Sequence, residues 1–256
     1  MRLREGKHRR KIGKFMIDGV RELDRAMQAG IRILEIFTVD PSLFPFCGGA
    51  REVQHTDTVV HQVTDSVMKK IAFGDRNEGI VAFAEEPVQS LAIFEMKIGQ
   101  NPCPLLAVLE GIEKPGNLGA VFRSADAAGV DGVMIADSLV DPFHANAIRS
   151  SMGTVFSMPM VSESSATIGR WLKHTEFQIA ATRCSGNAMP YTDVDFRRPT
   201  AIVFGSEAKG LTDIWSGKDI TAVTLPMCGI ADSLNVSVVA GILFYEVRRQ
   251  RNQNRS

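Results

Sequence analysis

Between residues 105 and 225 the chain repeats one device. A short run with few polar side chains ends in glycine and small polar residues, and a stretch with helical spacing follows. Leu105-Leu-Ala-Val-Leu109 is the plainest case, apolar at every position. A strand that is apolar throughout, and not only at alternate positions, has both faces covered; such strands belong to largely parallel sheets with helices packed on each side. The pattern predicts further strands at Gly132–Ala136, Val155–Val161, Phe177–Thr182, Thr200–Phe204 and Thr221–Leu225. Between them it predicts helices at Leu118–Ala128, Pro142–Ser151 and Ser165–His174, with a short one near Leu211. This half of the chain is α/β with a mostly parallel sheet.

The first 90 residues predict a smaller α/β unit. Ile17, Val20, Leu23 and Met27 recur at helical spacing, so residues 12–29 are expected to form a helix ending at Gly30. A strand is expected at Ile31–Val39, a helix at Asp57–Gly74 and a strand at Gly79–Ala84. The segment Ser90–Pro104, with Gly99, Asn101, Pro102 and Pro104, is expected to be a linker. The domains expected are therefore residues 1–95 and 104–256.

Several functional classes are excluded. No run of about 18 apolar residues could span a membrane, and the basic N-terminus lacks an apolar signal core. The four cysteines form no C-x-x-C pair, which argues against a zinc site or disulfide framework and fits a reducing cytoplasm. The net charge is zero but uneven. Residues 1–14 hold seven Lys/Arg against Glu5 alone, and four arginines follow Glu246 with no acid, leaving an acidic body between basic ends. Basic clusters attract phosphate backbones, although solvated basic arms are common.

Ligands of parallel sheets bind beyond the carboxyl ends of the strands. Three such ends are dense in Gly, Asn, Glu and Ser. After the first, Asn117 is placed to cap a helix, Gly119 permits close approach, and Arg123 lies in the second turn. Helix N–H groups and a guanidinium could meet a phosphate there; a cap, a packing glycine and a surface arginine explain the same residues. No G-x-G-x-x-G is present. At the second end, Gly205 to Gly210 has the spacing of a P-loop, but Leu211-Thr212 stands where Lys-Ser/Thr is required. Ser206 follows Gly205 directly, so the turn is not a nucleophile elbow. The third end is Leu225-Pro-Met-Cys-Gly-Ile-Ala-Asp-Ser-Leu-Asn235. Ser233 is a good N-cap for the final helix, which leaves Asn235 as a poor interior residue. The five histidines form no H-E-x-x-H and no metal-ligand spacing.

Together the three segments resemble the signature motifs of the SpoU–TrmH family of RNA ribose 2′-O-methyltransferases, in order and spacing. The corresponding stretches are Asn117-Leu-Gly-Ala-Val-Phe-Arg123, Phe204-Gly-Ser-Glu-Ala-Lys-Gly-Leu211 and Leu225–Val236. Glu113 stands where Asp is common, and Ser124 where Thr is common. Residues 1–90 more loosely resemble the ribosomal-protein-like RNA-binding domain found ahead of many such catalytic domains, through Arg9-Arg10-Lys-Ile-Gly-Lys-Phe-Met-Ile-Asp-Gly-Val-Arg-Glu22.

The resemblance implies a SPOUT fold with a deep trefoil knot, S-adenosylmethionine as cofactor, no metal, RNA as substrate and a homodimer. It implies a catalytic set of Arg123, Asn117, Glu207, Ser233 and Asn235. It places the cofactor against Gly205, Leu225, Met227, Ile230 and Leu234, and RNA against Arg9, Arg10 and Lys14. The two-part layout points to large-subunit ribosomal RNA. A transfer-RNA ribose methyltransferase and a non-catalytic RNA-binding protein are the alternatives; the last would be expected to lack Arg123, Glu207 or Asn235, and all three are present.

Overall fold

The computed structural model describes Arg9 and residues 11–43, 57–74, 78–184 and 187–253. The first described elements are β1 (Lys14–Asp18), α1 (Val20–Gln28), β2 (Ile33–Thr38), β3 (Val59–Gln62), α2 (Asp65–Ile71) and β4 (Ile80–Glu85). There follow α3 (Leu91–Ile98), β5 (Leu105–Glu110), α4 (Pro115–Ala128), β6 (Gly132–Ala136), α5 (Ala145–Ser150), α6 (Thr154–Ser157) and β7 (Met160–Glu163). The chain continues through α7 (Ser165–His174), β8 (Gln178–Thr182), β9 (Met189–Pro190), β10 (Thr200–Phe204), β11 (Ile220–Thr224) and α8 (Val236–Asn252). Two compact units result: residues 1–88 with 140–157, and residues 89–139 with 158–256.

In the first unit four strands form a mixed sheet in the order β1-β4-β2-β3, antiparallel except for β2 with β3. The helix expected over residues 12–29 is instead β1, a turn at Gly19 and α1. Gly19 has φ 128°, a conformation that glycine enters far more readily than other residues, and it breaks the helical spacing in two. Likewise Asp57–Gly74 holds β3 as well as α2. Successive side chains of β1 point to opposite faces. Met16 joins Met68, Ala72 and Val81 in one core. Phe15 stacks on Phe143 at 4.6 Å and on Phe156 at 5.8 Å. Residues 140–157 thus pack with the N-terminal unit because their two phenylalanines cover the far side of β1. The strand expected at Val155–Val161 is accordingly split into α6 and β7.

The second unit is a seven-stranded sheet, β7-β6-β5-β10-β8-β11-β9, parallel at every pairing. One face buries Leu106, Val108, Met134, Val161, Ile179, Ala201 and Val203 against Ile168 and Leu172 of α7 and Phe94 and Ile98 of α3. α3 lies where a linker was expected. Its Ser90 N-cap accepts a hydrogen bond from Ile93 N, and Phe94 and Ile98 fall on one face at i, i+4. On the other face α4 and α8 pack together, and Phe204 meets Phe244 edge-on at 5.7 Å. From β11, beyond β8 and β10, the chain must return to lay α8 along α4, the helix that follows β5. Such a return is the geometric requirement of the expected threading. Among the described residues no helix is long and apolar enough to cross a membrane.

Arg9, implied above as an RNA contact, is buried in the first unit. Its Nε donates to Asp141 at 2.6 Å, with only 3% of the arginine side chain exposed. A guanidinium so placed holds structure and is not free for phosphate. Removing one partner of a buried pair leaves the other charged and desolvated, at a cost of about 3–5 kcal/mol. Arg9→Ala should therefore destabilise the first unit by about that amount, read as faster amide hydrogen exchange in β1 and β4. Wild-type exchange rates would show that the pair does not hold the unit.

Candidate active site

Strands β5 and β10 are neighbours, and β6 and β8 flank them on opposite sides. The crevice at their carboxyl ends is where ligands of open α/β sheets bind. Three segments reach it: the start of α4 after β5, the Gly205–Gly210 loop after β10, and the start of α8 after β11.

Both helices begin differently from expectation. The N-cap of α4 is Lys114, followed by Pro115 at the first helical position, so Asn117 lies inside the first turn and does not cap. Proline suits that position because its fixed φ is helical and no N–H is lost there. The N-cap of α8 is Asn235, not Ser233. Asn235 Oδ1 accepts from Ser237 N at 2.9 Å and from Ser237 Oγ at 2.7 Å. The two helices run side by side in parallel: Asn117 meets Asn235, Ser124 lies by Gly241, and Ala128 O accepts from Arg248 Nε. Their N-termini, each a region of unsatisfied N–H groups and partial positive charge, therefore converge.

A carboxylate occupies that convergence. Glu207 Oε1 accepts from Asn117 Nδ2 at 2.7 Å and from Asn235 Nδ2 at 3.1 Å, while Oε2 accepts from Lys114 Nζ at 2.8 Å. Asn117 Oδ1 accepts from Asn235 Nδ2 at 3.2 Å. Foremost through its hydrogen bond to Lys114, Glu207 is held below the usual glutamate range, and Lys114 is raised by the same bond. The loop that presents Glu207 closes on itself, with Ser206 and Gly210 exchanging backbone bonds at 3.2 and 2.9 Å and Ser206 Oγ accepting from Lys209 N. A side chain at Gly205 would collide with the Gly210 backbone, and Gly210 itself sits at φ 65°.

The site residues expected from sequence thus fall into groups. Asn117, Glu207 and Asn235 form one hydrogen-bonded set. Arg123 is exposed on α4 and has no polar partner among the described residues. Ser233 is exposed before the cap. Leu225, Met227, Ile230 and Leu234 line an irregular segment in which Ile230 is fully exposed. Among the described residues no peptide group from Pro226 to Leu234 has a backbone hydrogen-bond partner. Lys14 is exposed in β1, and Arg10 lies outside the described residues. The basic tail is less free than its composition suggested. Arg248 bonds Ala128 O, Arg249 pairs with Glu246, and Arg251 reaches the carbonyls of Cys103, Phe196 and Arg198. Sequence reasoning missed Lys114, whose only signal was a cation next to a helix-starting proline.

Because Glu207 titrates below an ordinary glutamate, its contribution to holding the three segments is present at neutral pH. That contribution is lost as the pH falls through the depressed value. Lys114→Met should move the Glu207 titration upward, followed by carboxyl-carbon NMR across acid pH. An unmoved titration would show that the ion pair does not form in solution.

Residues 104–245 match the model of the SpoU rRNA Methylase family, and residues 1–82 match an MRM3-like substrate binding domain. The 23S rRNA (uridine(2479)-2′-O)-methyltransferase of Streptomyces viridochromogenes is 30% identical, over 97% of this chain and 87% of its own. A crystal structure of an RNA 2′-O ribose methyltransferase superposes with a TM-score of 0.80 at 36% identity, covering 98% of this chain and 94% of that one. An AdoMet-bound rRNA methyltransferase from Sinorhizobium meliloti superposes at 0.84 and 27% identity, covering 97% and 92%. With its strand order, its three converging segments and these matches, the chain belongs to the SpoU rRNA methylase family.

Proposed function

We propose that this protein transfers a methyl group from S-adenosylmethionine to the 2′-oxygen of a ribose in RNA, the RNA being 23S ribosomal RNA. The observation that carries this is the joining of Asn117, Glu207 and Asn235 at two helix N-termini, within reach of strand ends that present Gly205 and the Leu225–Leu234 segment. The last segment suits the cofactor. It offers exposed apolar side chains for an adenine face and unpaired peptide groups for its edge. Gly205, Leu225, Met227, Ile230 and Leu234 would hold it there.

When bound, S-adenosylmethionine supplies a methyl already activated by its sulfonium. The protein's task is to orient the ribose and raise the nucleophilicity of its hydroxyl. Arg123 is free to do this. A guanidinium is not a general base, but it can hold the flanking phosphate and stabilise charge growing on the 2′-oxygen. The hydroxyl proton passes to phosphate or water. Glu207, gripped by both asparagines and Lys114, fixes the three segments around the ribose, with Ser233 beside them. The first unit, with Lys14 on its surface, binds the RNA.

A second copy completes the molecule. Val238 (49% exposed) and Tyr245 (57% exposed) lie seven residues apart on one face of α8, continuous in sequence with the exposed Leu234 and Ile230. A homodimer would cover this face and bring the site to the subunit boundary.

Arg123→Ala should abolish single-turnover methylation of a 23S rRNA transcript while calorimetry shows unchanged S-adenosylmethionine affinity. Near-normal turnover would remove Arg123 from the reaction.

A further inference from the structure

Glu110 is the last residue of β5, and only 3% of it is exposed. It ends a strand that is otherwise apolar, and no step described above uses it. Its carboxylate is fully engaged. Oε1 accepts from Trp215 Nε1 at 2.7 Å, Thr212 Oγ1 at 2.8 Å and Ser165 Oγ at 2.6 Å. Oε2 accepts from Thr212 N at 2.8 Å. Two of these partners, the indole N–H and the peptide N–H, can only donate, and they face different oxygens. The pocket therefore requires an acceptor on each side, which a carboxylate provides and an amide does not.

Three of the four bonds go to Thr212 and Trp215, which end the loop that begins at Gly205. The fourth goes to the first residue of α7. Arg183, just past β8, holds the same turn from another side through Thr212 O, Trp215 O and Ser216 Oγ. At its other end the loop is tied by Glu207 to Asn117, in the first turn of α4 and seven residues beyond Glu110. The loop is thus fastened at two points that flank the short β5–α4 connection: by Glu110 at the end of β5 and by Glu207 to the start of α4.

We propose that Glu110 is a positioning residue for methyl transfer, setting through Thr212 and Trp215 where Glu207 stands against α4 and α8. Glu207 must belong to the active centre for this to hold, as proposed above. Glu110→Gln would turn an amide N–H against either the indole N–H or the Thr212 N–H, and the loop would shift to escape it. A displacement of about 1 Å at a reacting centre can slow a reaction by about 100-fold.

The test is single-turnover transfer from tritiated S-adenosylmethionine to a full-length 23S rRNA transcript, using the full chain as wild type, Glu110→Gln, Glu207→Gln and the double variant. Glu110→Gln is expected to be slower by about 100-fold, and the double variant no slower than Glu207→Gln alone. A slow Glu207→Gln with Glu110→Gln at the wild-type rate, or with the two losses multiplying in the double variant, overturns the positioning role and leaves the active-centre role of Glu207 standing. A wild-type rate for Glu207→Gln removes both. Should Glu110→Gln fail to fold, Trp215→Phe withdraws one donor while keeping an aromatic ring. It is expected to slow transfer in the same non-multiplying way, and a wild-type rate would overturn the proposal.

Discussion

The side-chain amide of Asn235 meets two demands at once. Its oxygen accepts from Ser237 and so fixes where α8 begins; its nitrogen donates to Glu207 and Asn117 and so fixes what α8 begins against. Aspartate would offer no donor to the carboxylate, and serine would have only one oxygen to serve both sides. Because α8 lies parallel to α4 along its length, the placement of one end settles the register of the pair. Glu207 then bridges two helix starts where partial positive charge accumulates, and Lys114 adds a full one. The site is held together by a carboxylate that does not itself need to react.

This explains how three segments whose joined residues lie 28, 90 and 118 positions apart can act as one. Each follows a strand of the same sheet, and β5 and β10 are direct neighbours. The sheet supplies rigidity through central strands buried on both faces, and β5 keeps its one polar residue, Glu110, at its carboxyl end. Arg123, free of other partners among the described residues, stands on the exposed side of α4, where a polyanion can approach.

Much of the second unit was legible in the sequence. The bounds of Thr200–Phe204 and Ser165–His174 match the expectation because these elements carry undiluted patterns: five residues for a two-faced strand, and a serine-capped amphipathic helix. The first unit was less legible. Ile17, Val20, Leu23 and Met27 keep helical spacing by coincidence across a strand and a helix, and only Gly19 marks the break. At Ser90–Pro104 the density of Gly, Asn and Pro at one end masked the cap and i, i+4 pair at the other. Residue type alone favours Ser233 as the cap. Asn235 won because the choice is made by a tertiary partner, Glu207, more than 25 residues away in sequence. The same holds for Glu110, whose role depends on Trp215 and Thr212 reaching it through the fold. The residues 1–14 read as a basic arm include one, Arg9, that the fold consumes internally.

The proposed function, transfer of a methyl group to a ribose of large-subunit ribosomal RNA, would unite these features. The most direct measurement is a nucleotide-resolution map of ribose methylation in ribosomal and transfer RNA from cells with and without the intact protein. The account predicts loss of a 2′-O-methyl mark in 23S rRNA and its return when the wild-type protein is restored, but not when the Arg123→Ala variant is. An unchanged 23S rRNA map, or a mark lost from transfer RNA instead, would contradict it.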